Sequence, residues 1–197
     1  MWCLFSRDRR RALAPTVASA ALTFLVGGLA YGFASYLRWI HNLTLITWQW
    51  GGNNGSLLGW MSKSFTASPY FVPVVDLPLS LISVIALGIS GFVLAAVLWH
   101  AQRQDIDAAV ASIAIASLWC SPLGWMYYGW IALPPMLVLW RDRRLNQALV
   151  LIGAAFLWFP PLFFTAVHRS WFTVTFASSY FWGCTAFLLA AVFAGPP

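Results

Sequence analysis

The sequence predicts an all-α, polytopic membrane protein. It should have about six transmembrane helices and a helical segment lying in the outer membrane interface. Three observations predict this. The 197 residues are 61% hydrophobic and only 8% charged, with a mean hydropathy of +0.76, whereas a soluble domain carries about 25% charged residues. Charge-free runs recur along the chain: Ala12 to Leu37, Leu77 to Trp99, Ala108 to Trp140, Leu145 to Val167 and Ser170 to Pro197. The basic residues between them are distributed unevenly, as the positive-inside rule requires of membrane loops.

The elements follow in order. Trp2-Cys3-Leu4-Phe5 is too short to span; it reads as an interfacial anchor or as the tail of a preceding membrane helix. Ala12 to Leu37 is the first span. The outer segment Tyr36 to Asp76 opens with Trp39, Leu43, Ile46 and Trp50 at helical spacing, which suits a helix in the interface. Gly51-Gly52-Asn53-Asn54-Gly55-Ser56 breaks that helix. Leu57 to Phe65 reads as a second short apolar helix. Asp76, just before Leu77-Pro78, is placed to cap the second span. Ala108 to Trp140 is too long for one pass of about 20 residues and barely enough for two. Pro122 removes a backbone donor and Gly124 loosens the chain, so Ser121-Pro122-Leu123-Gly124-Trp125-Met126-Tyr127-Tyr128 should divide it. Pro134-Pro135 and Pro160-Pro161 read as kinks.

With two passes in that run, both termini fall on one side. Arg7, Arg9, Arg10, Arg11, Arg103, Arg141, Arg143 and Arg144 share that side, and Arg38, Lys63 and Arg169 lie opposite. The larger set marks the cytoplasm. A single pass would move three arginines outside and erase the bias. The net charge of +6 is thus a topology signal with attraction to anionic membrane lipid, and not a sign of nucleic-acid binding. Cys3, Cys120 and Cys184 have no metal-site spacing and read as small apolar residues. No nucleotide loop, nucleophile triad or metal motif is visible, and no cofactor is evident.

The polar groups on the outer side are the candidates for binding. Asn53, Asn54 and Ser56 form either a plain turn or contacts to a sugar or phosphate. Arg38 and Lys63 either snorkel at the interface or bind phosphate by charge. Trp125, Tyr127 and Tyr128 should share an outer face with the Asn54 turn. Of the five acids, Asp8, Asp76, Asp105, Asp107 and Asp142, only Asp76 is outside, which makes it the one weak candidate for a catalytic base.

The order of these features resembles the C-terminal half of family 87 of the glycosyltransferases, polytopic enzymes of the C superfamily that use polyprenyl-phosphate sugars. The similarity runs from Arg7 to about Trp140 and rests on Asn54-Gly55-Ser56-Leu57, on Ser121-Pro122-Leu123-Gly124-Trp125-Met126-Tyr127-Tyr128 and on Leu133-Pro134-Pro135. That family typically has Asn-Gln-Ser-Leu in the first place and Ser-Pro-x-Ser-Trp-x-His-His in the second. Gly55, Gly124 and Tyr127-Tyr128 depart from it, and tyrosine does not titrate near neutral pH as histidine does. The resemblance implies a hexosyltransferase, for instance a mannosyltransferase, in a bacterial plasma membrane. Its donor would be a polyprenyl-phosphate sugar. The superfamily carries its catalytic acid in an early outer loop, upstream of anything that aligns here. The 197 residues therefore read as one transmembrane domain, the C-terminal part of a longer transferase, incomplete alone and in need of an N-terminal half or partner subunit. Two other classes stand beside it: a non-catalytic membrane subunit that binds lipid or a partner, and a small transporter. The transporter ranks last, because the predicted helices hold no ionisable residue.

The topology makes a direct prediction. In a cysteine-free background, Tyr127→Cys should label from outside the cell and Arg143→Cys only after permeabilisation. External labelling at Arg143→Cys would exclude six passes.

Overall fold

The computed structural model describes residues 9–45, 51, 53–68, 72–122, 124, 130–140, 144–158, 174 and 178–193. Among them every regular element is a helix: α1 (Arg9–Tyr31), α2 (Ala34–Thr44), α3 (Leu57–Phe65), α4 (Leu79–Ala101), α5 (Ile106–Cys120), α6 (Leu133–Trp140), α7 (Arg144–Trp158) and α8 (Ser179–Phe193). The chain forms two compact units, Met1–Trp48 and Gln49–Pro197.

The first unit holds α1 and α2. The apolar run expected to continue to Leu37 ends at Tyr31, because Gly32 takes a φ of 77° that only glycine adopts without strain. The two helices meet at 98°. Tyr36 folds back from α2 onto α1: its ring stacks on Phe24 at 4.3 Å, and its hydroxyl donates to the Phe24 carbonyl at 2.7 Å. α2 is amphipathic, as expected of an interfacial helix. It ends at Thr44; Ile46 and Trp50 lie outside the described residues.

The second unit is built around α4, α5, α7 and α8. Helices occur in all six segments predicted to span. Among the described residues α4 alone is long and apolar enough to cross a bilayer unaided, and the bent α1–α2 pair passes the same test as one broken span. α4 leaves Val84, Leu87 and Phe92 largely uncovered, an arrangement suited to lipid and a liability in water. α5 starts where Asp105 accepts from the Ala108 amide at 2.9 Å, and stops at Cys120 just before Pro122, the predicted break. Pro134 and Pro135 do not kink α6. They lie in its first turn, where a missing N–H costs nothing. Pro160 and Pro161 lie outside the described residues.

α5 and α8 run antiparallel. Gln104 Nε2 donates to the Ala191 carbonyl at 3.1 Å near one end, and Trp119 Nε1 donates to Thr185 Oγ1 at 3.0 Å toward the other. Trp60 of α3 stacks on Phe181 of α8 at 4.8 Å, and Phe181 also meets Trp119 at 5.9 Å. These rings, with fully buried Ala116, Leu139 and Phe187, form the core that fixes α3 against the longer helices.

The lengths explain the place of α3. At 1.5 Å per residue, α4 is about 35 Å long and α5 about 22 Å. A short connection joins them at one end, so at the other α5 falls short by about 12 Å. The nine residues of α3 cover about 14 Å and fill that step. Its C-terminal end lies beside the start of α4, where the Leu77 amide donates to the Phe65 carbonyl at 2.8 Å. Its N-terminal end lies beside the end of α5.

Asp76 does not cap α4. Leu77 and Pro78 intervene, Pro78 is itself the cap residue, and it makes no side-chain bond. The Asp76 carboxylate instead accepts from the Ala67 amide at 2.8 Å and closes the 67–76 loop.

Gly32→Val should loosen the α1–α2 corner at a cost of roughly 1–2 kcal/mol, since the left-handed backbone is unfavourable for a side chain. Faster limited proteolysis around residues 31–34 would report it; an unchanged cleavage rate would contradict the role assigned to Gly32.

Candidate functional site

The two segments that carry the resemblance meet. Asn54 is the joint. Its amide donates to the Gly51 carbonyl at 2.9 Å, closing the turn. Its side-chain Nδ2 donates to the Pro122 carbonyl at 3.1 Å, and its Oδ1 accepts from the Ser56 amide at 3.1 Å. Next to it the Gly55 amide donates to the Gly124 carbonyl at 2.8 Å. Ser56 then caps α3, accepting from the Gly59 amide at 3.1 Å. Asn54 and Ser56 are fully buried, so their polar atoms need these bonds.

The same geometry accounts for glycine at positions 55 and 124. A Cβ at Gly55 would lie 2.9 Å from Tyr180 Cβ, and one at Gly124 would lie 2.8 Å from the Leu118 carbonyl oxygen and 3.0 Å from Ser56 Cβ. A side chain at Gly55 would press on α8, and one at Gly124 on the end of α5 and on Ser56 in the facing turn. Glycine at both lets backbone bond directly to backbone.

Lys63 is placed differently from either reading of the sequence. It neither snorkels nor faces the surface. A helical side chain leans toward the N-terminus; Lys63 reaches back along α3, and its Nζ donates to the Asn54 carbonyl at 3.1 Å. It is 2% exposed. No carboxylate among the described residues pairs with it, and burial pushes its ammonium from the ordinary 10.5 down to about 7. A phosphate could not reach it without movement of the junction.

The other candidates divide by position. Asn53 is half-buried in the same turn. Arg38 is exposed on α2 and belongs to the first unit. Trp125, Tyr127 and Tyr128 lie outside the described residues, although Gly124, which precedes them, is bonded to Gly55. Asp76 is at the opposite end of α3 from Asn54, about 14 Å along the helix. Asp105 and Asp107 start α5 and are about 22 Å along it from Pro122. No described carboxylate adjoins the junction. The described residues also form no His, Cys, Asp or Glu cluster able to hold a metal.

A cavity of about 340 Å³ adjoins the junction. Gly55, Gly124 and Tyr180 line it on the side of the junction, and Leu118, Leu133, Met136, Leu157 and Cys184 supply much of its apolar lining. Trp130 and Trp158 border it with most of each ring exposed, which marks its mouth. No local pattern in the chain marks this cavity, because its walls come mostly from α5, α6, α7 and α8, far apart in sequence.

No protein-family profile, curated protein or solved structure matches the chain.

Asn54→Ala would strand the Pro122 carbonyl and the Ser56 amide in a buried place. The expected loss is about 2 kcal/mol, the usual scale for a buried polar group left unpaired. Thermal unfolding in detergent would measure it. A value within error of the parent would remove Asn54 as the joint.

Proposed function

We propose that this chain is a membrane-embedded site for a polyprenyl-phosphate sugar, of the kind used by family 87 glycosyltransferases, and that it binds this donor without transferring the sugar by itself. The observation that carries this reading is the contact between the Asn54 turn and the Pro122–Gly124 turn at the wall of an apolar cavity. A lipid-linked sugar needs an apolar slot for the chain and polar groups at its end. The cavity and the junction supply these side by side. In this reading Asn53, Trp125, Tyr127 and Tyr128 contact the head group, and tyrosine hydroxyls hydrogen-bond sugar or phosphate oxygens. Asn54 and Ser56 build the turn that presents them. Six passes with both ends cytoplasmic, in a bacterial plasma membrane, would turn this face outward.

Transfer needs a base at the acceptor hydroxyl. Asp76 is the only carboxylate of the outer segment, and it is committed to the Ala67 amide at the far end of α3. We place the catalytic acid in a partner or a preceding half.

The non-catalytic membrane subunit is the second reading. It is favoured by the burial of Asn54, Ser56 and Lys63, whose bonds serve the fold.

The test is to purify the chain in nanodiscs and supply polyprenyl-phosphate-linked mannose or glucose with candidate acceptors. Donor binding without turnover is expected. Turnover that is lost in Asp76→Asn would overturn the view that the chain is inactive alone, and absence of donor binding would favour the plain subunit.

A further inference from the structure

Lys63 is the one basic side chain at the junction among the described residues, and donor binding as proposed above leaves it unused. Its Nζ holds the Asn54 carbonyl. The same peptide group carries, on its other edge, the Gly55 amide that bonds Gly124, and both glycines line the cavity. One peptide plane therefore joins the amine to the cavity wall.

We propose that Lys63 is a proton-operated latch: its uncharged amine holds the Asn54–Pro122 and Gly55–Gly124 junction closed, and uptake of a proton parts the junction and offers an ammonium to an anionic phosphate head group at the cavity. A neutral amine donates to a carbonyl as well as an ammonium does in geometry, but a buried unpaired charge is costly. Water or a counter-ion relieves it. The closed junction admits neither, since Asn54, Ser56 and Lys63 are all buried.

The groups packed around Lys63 offer no other relief. α4 carries His100 at its far end, and α5 carries Asp105 and Asp107 at its far end, with Cys120 near the junction. α8 brings Tyr180 and Cys184, and the loop between α3 and α4 brings Asp76, bonded to Ala67. None is a described ion-pair partner of Lys63.

The direction follows from linkage. Lys63 titrates near 7 when closed, against 10.5 in water, so the open form binds the proton more tightly. Opening should grow about tenfold per pH unit on descent from about 9.5 and level off below about 7.

The experiment uses the full chain in nanodiscs of zwitterionic lipid. Hydrogen exchange over residues 51–60 is followed from pH 7 to 9.5 and corrected for intrinsic exchange. An opening constant that rises about tenfold per unit as pH falls is expected, with no slope in Lys63→Met. A flat wild-type profile overturns the latch, and the wild-type slope decides even if the variant does not fold. The anion step alone rests on the lipid-phosphate reading, and dodecyl phosphate and inorganic phosphate are its probes. Dodecyl phosphate affinity should fall about tenfold per unit above pH 7.5. Equal behaviour by inorganic phosphate would assign the site to free phosphate. Binding without a pH slope would overturn the anion step. No dodecyl phosphate binding, with the exchange slope intact, would overturn the lipid-phosphate reading and uphold the latch.

Discussion

Everything at the candidate site depends on Asn54. One buried residue uses its amide, its carbonyl and both ends of its side chain to join a turn, a helix start, a lysine and a second turn. Asparagine is suited to this because it offers two donors and an acceptor on a short, planar side chain. Aspartate would lose the donor to Pro122 and add a buried charge. Leucine would satisfy none of the partners. The bonds are interdependent, since loss of the Pro122 contact also frees the backbone that positions Gly55 against Gly124.

Much of the architecture was legible because lipid and water impose strong patterns. Charge-free runs located helices in six segments, and Pro122 located the break after Cys120. The short apolar helix at Leu57–Phe65 and an amphipathic helix after the first apolar run were also legible. Boundaries set by backbone conformation were less so. Gly32 in an apolar run looks like any tolerated helical glycine, and only its left-handed φ reveals the corner. Asp76 looked like a cap because an acid precedes a helix, but proline two residues on had already taken that place.

The site itself was legible in part. The sequence nominated the Asn54 and Pro122 turns, and the fold brings them into contact. It misjudged Lys63, because a lone lysine beside serines and tryptophan reads as a surface residue. Its burial depends on α3 being enclosed by α4, α5 and α8, which is a tertiary fact. The glycines at 55 and 124 looked like losses of polar side chains. In the fold they sit where a Cβ would crowd its neighbours, and their backbones bond directly to each other.

The step between α4 and α5 has a further consequence for the surrounding lipid. α5 is capped at both ends by Asp105 and Ser121 and is about 22 Å long, shorter than the roughly 30 Å hydrocarbon layer that a spanning helix has to cross. A bilayer meeting this side of the protein would face a hydrophobic mismatch. It would relax by thinning locally, at a small cost per ångström. Thinning would bring lipid head groups inward to the level of the Pro122 turn and the mouth marked by Trp130 and Trp158. If the chain takes a lipid-linked sugar as proposed, the donor would reach the cavity from the side, through a dimple in its own solvent.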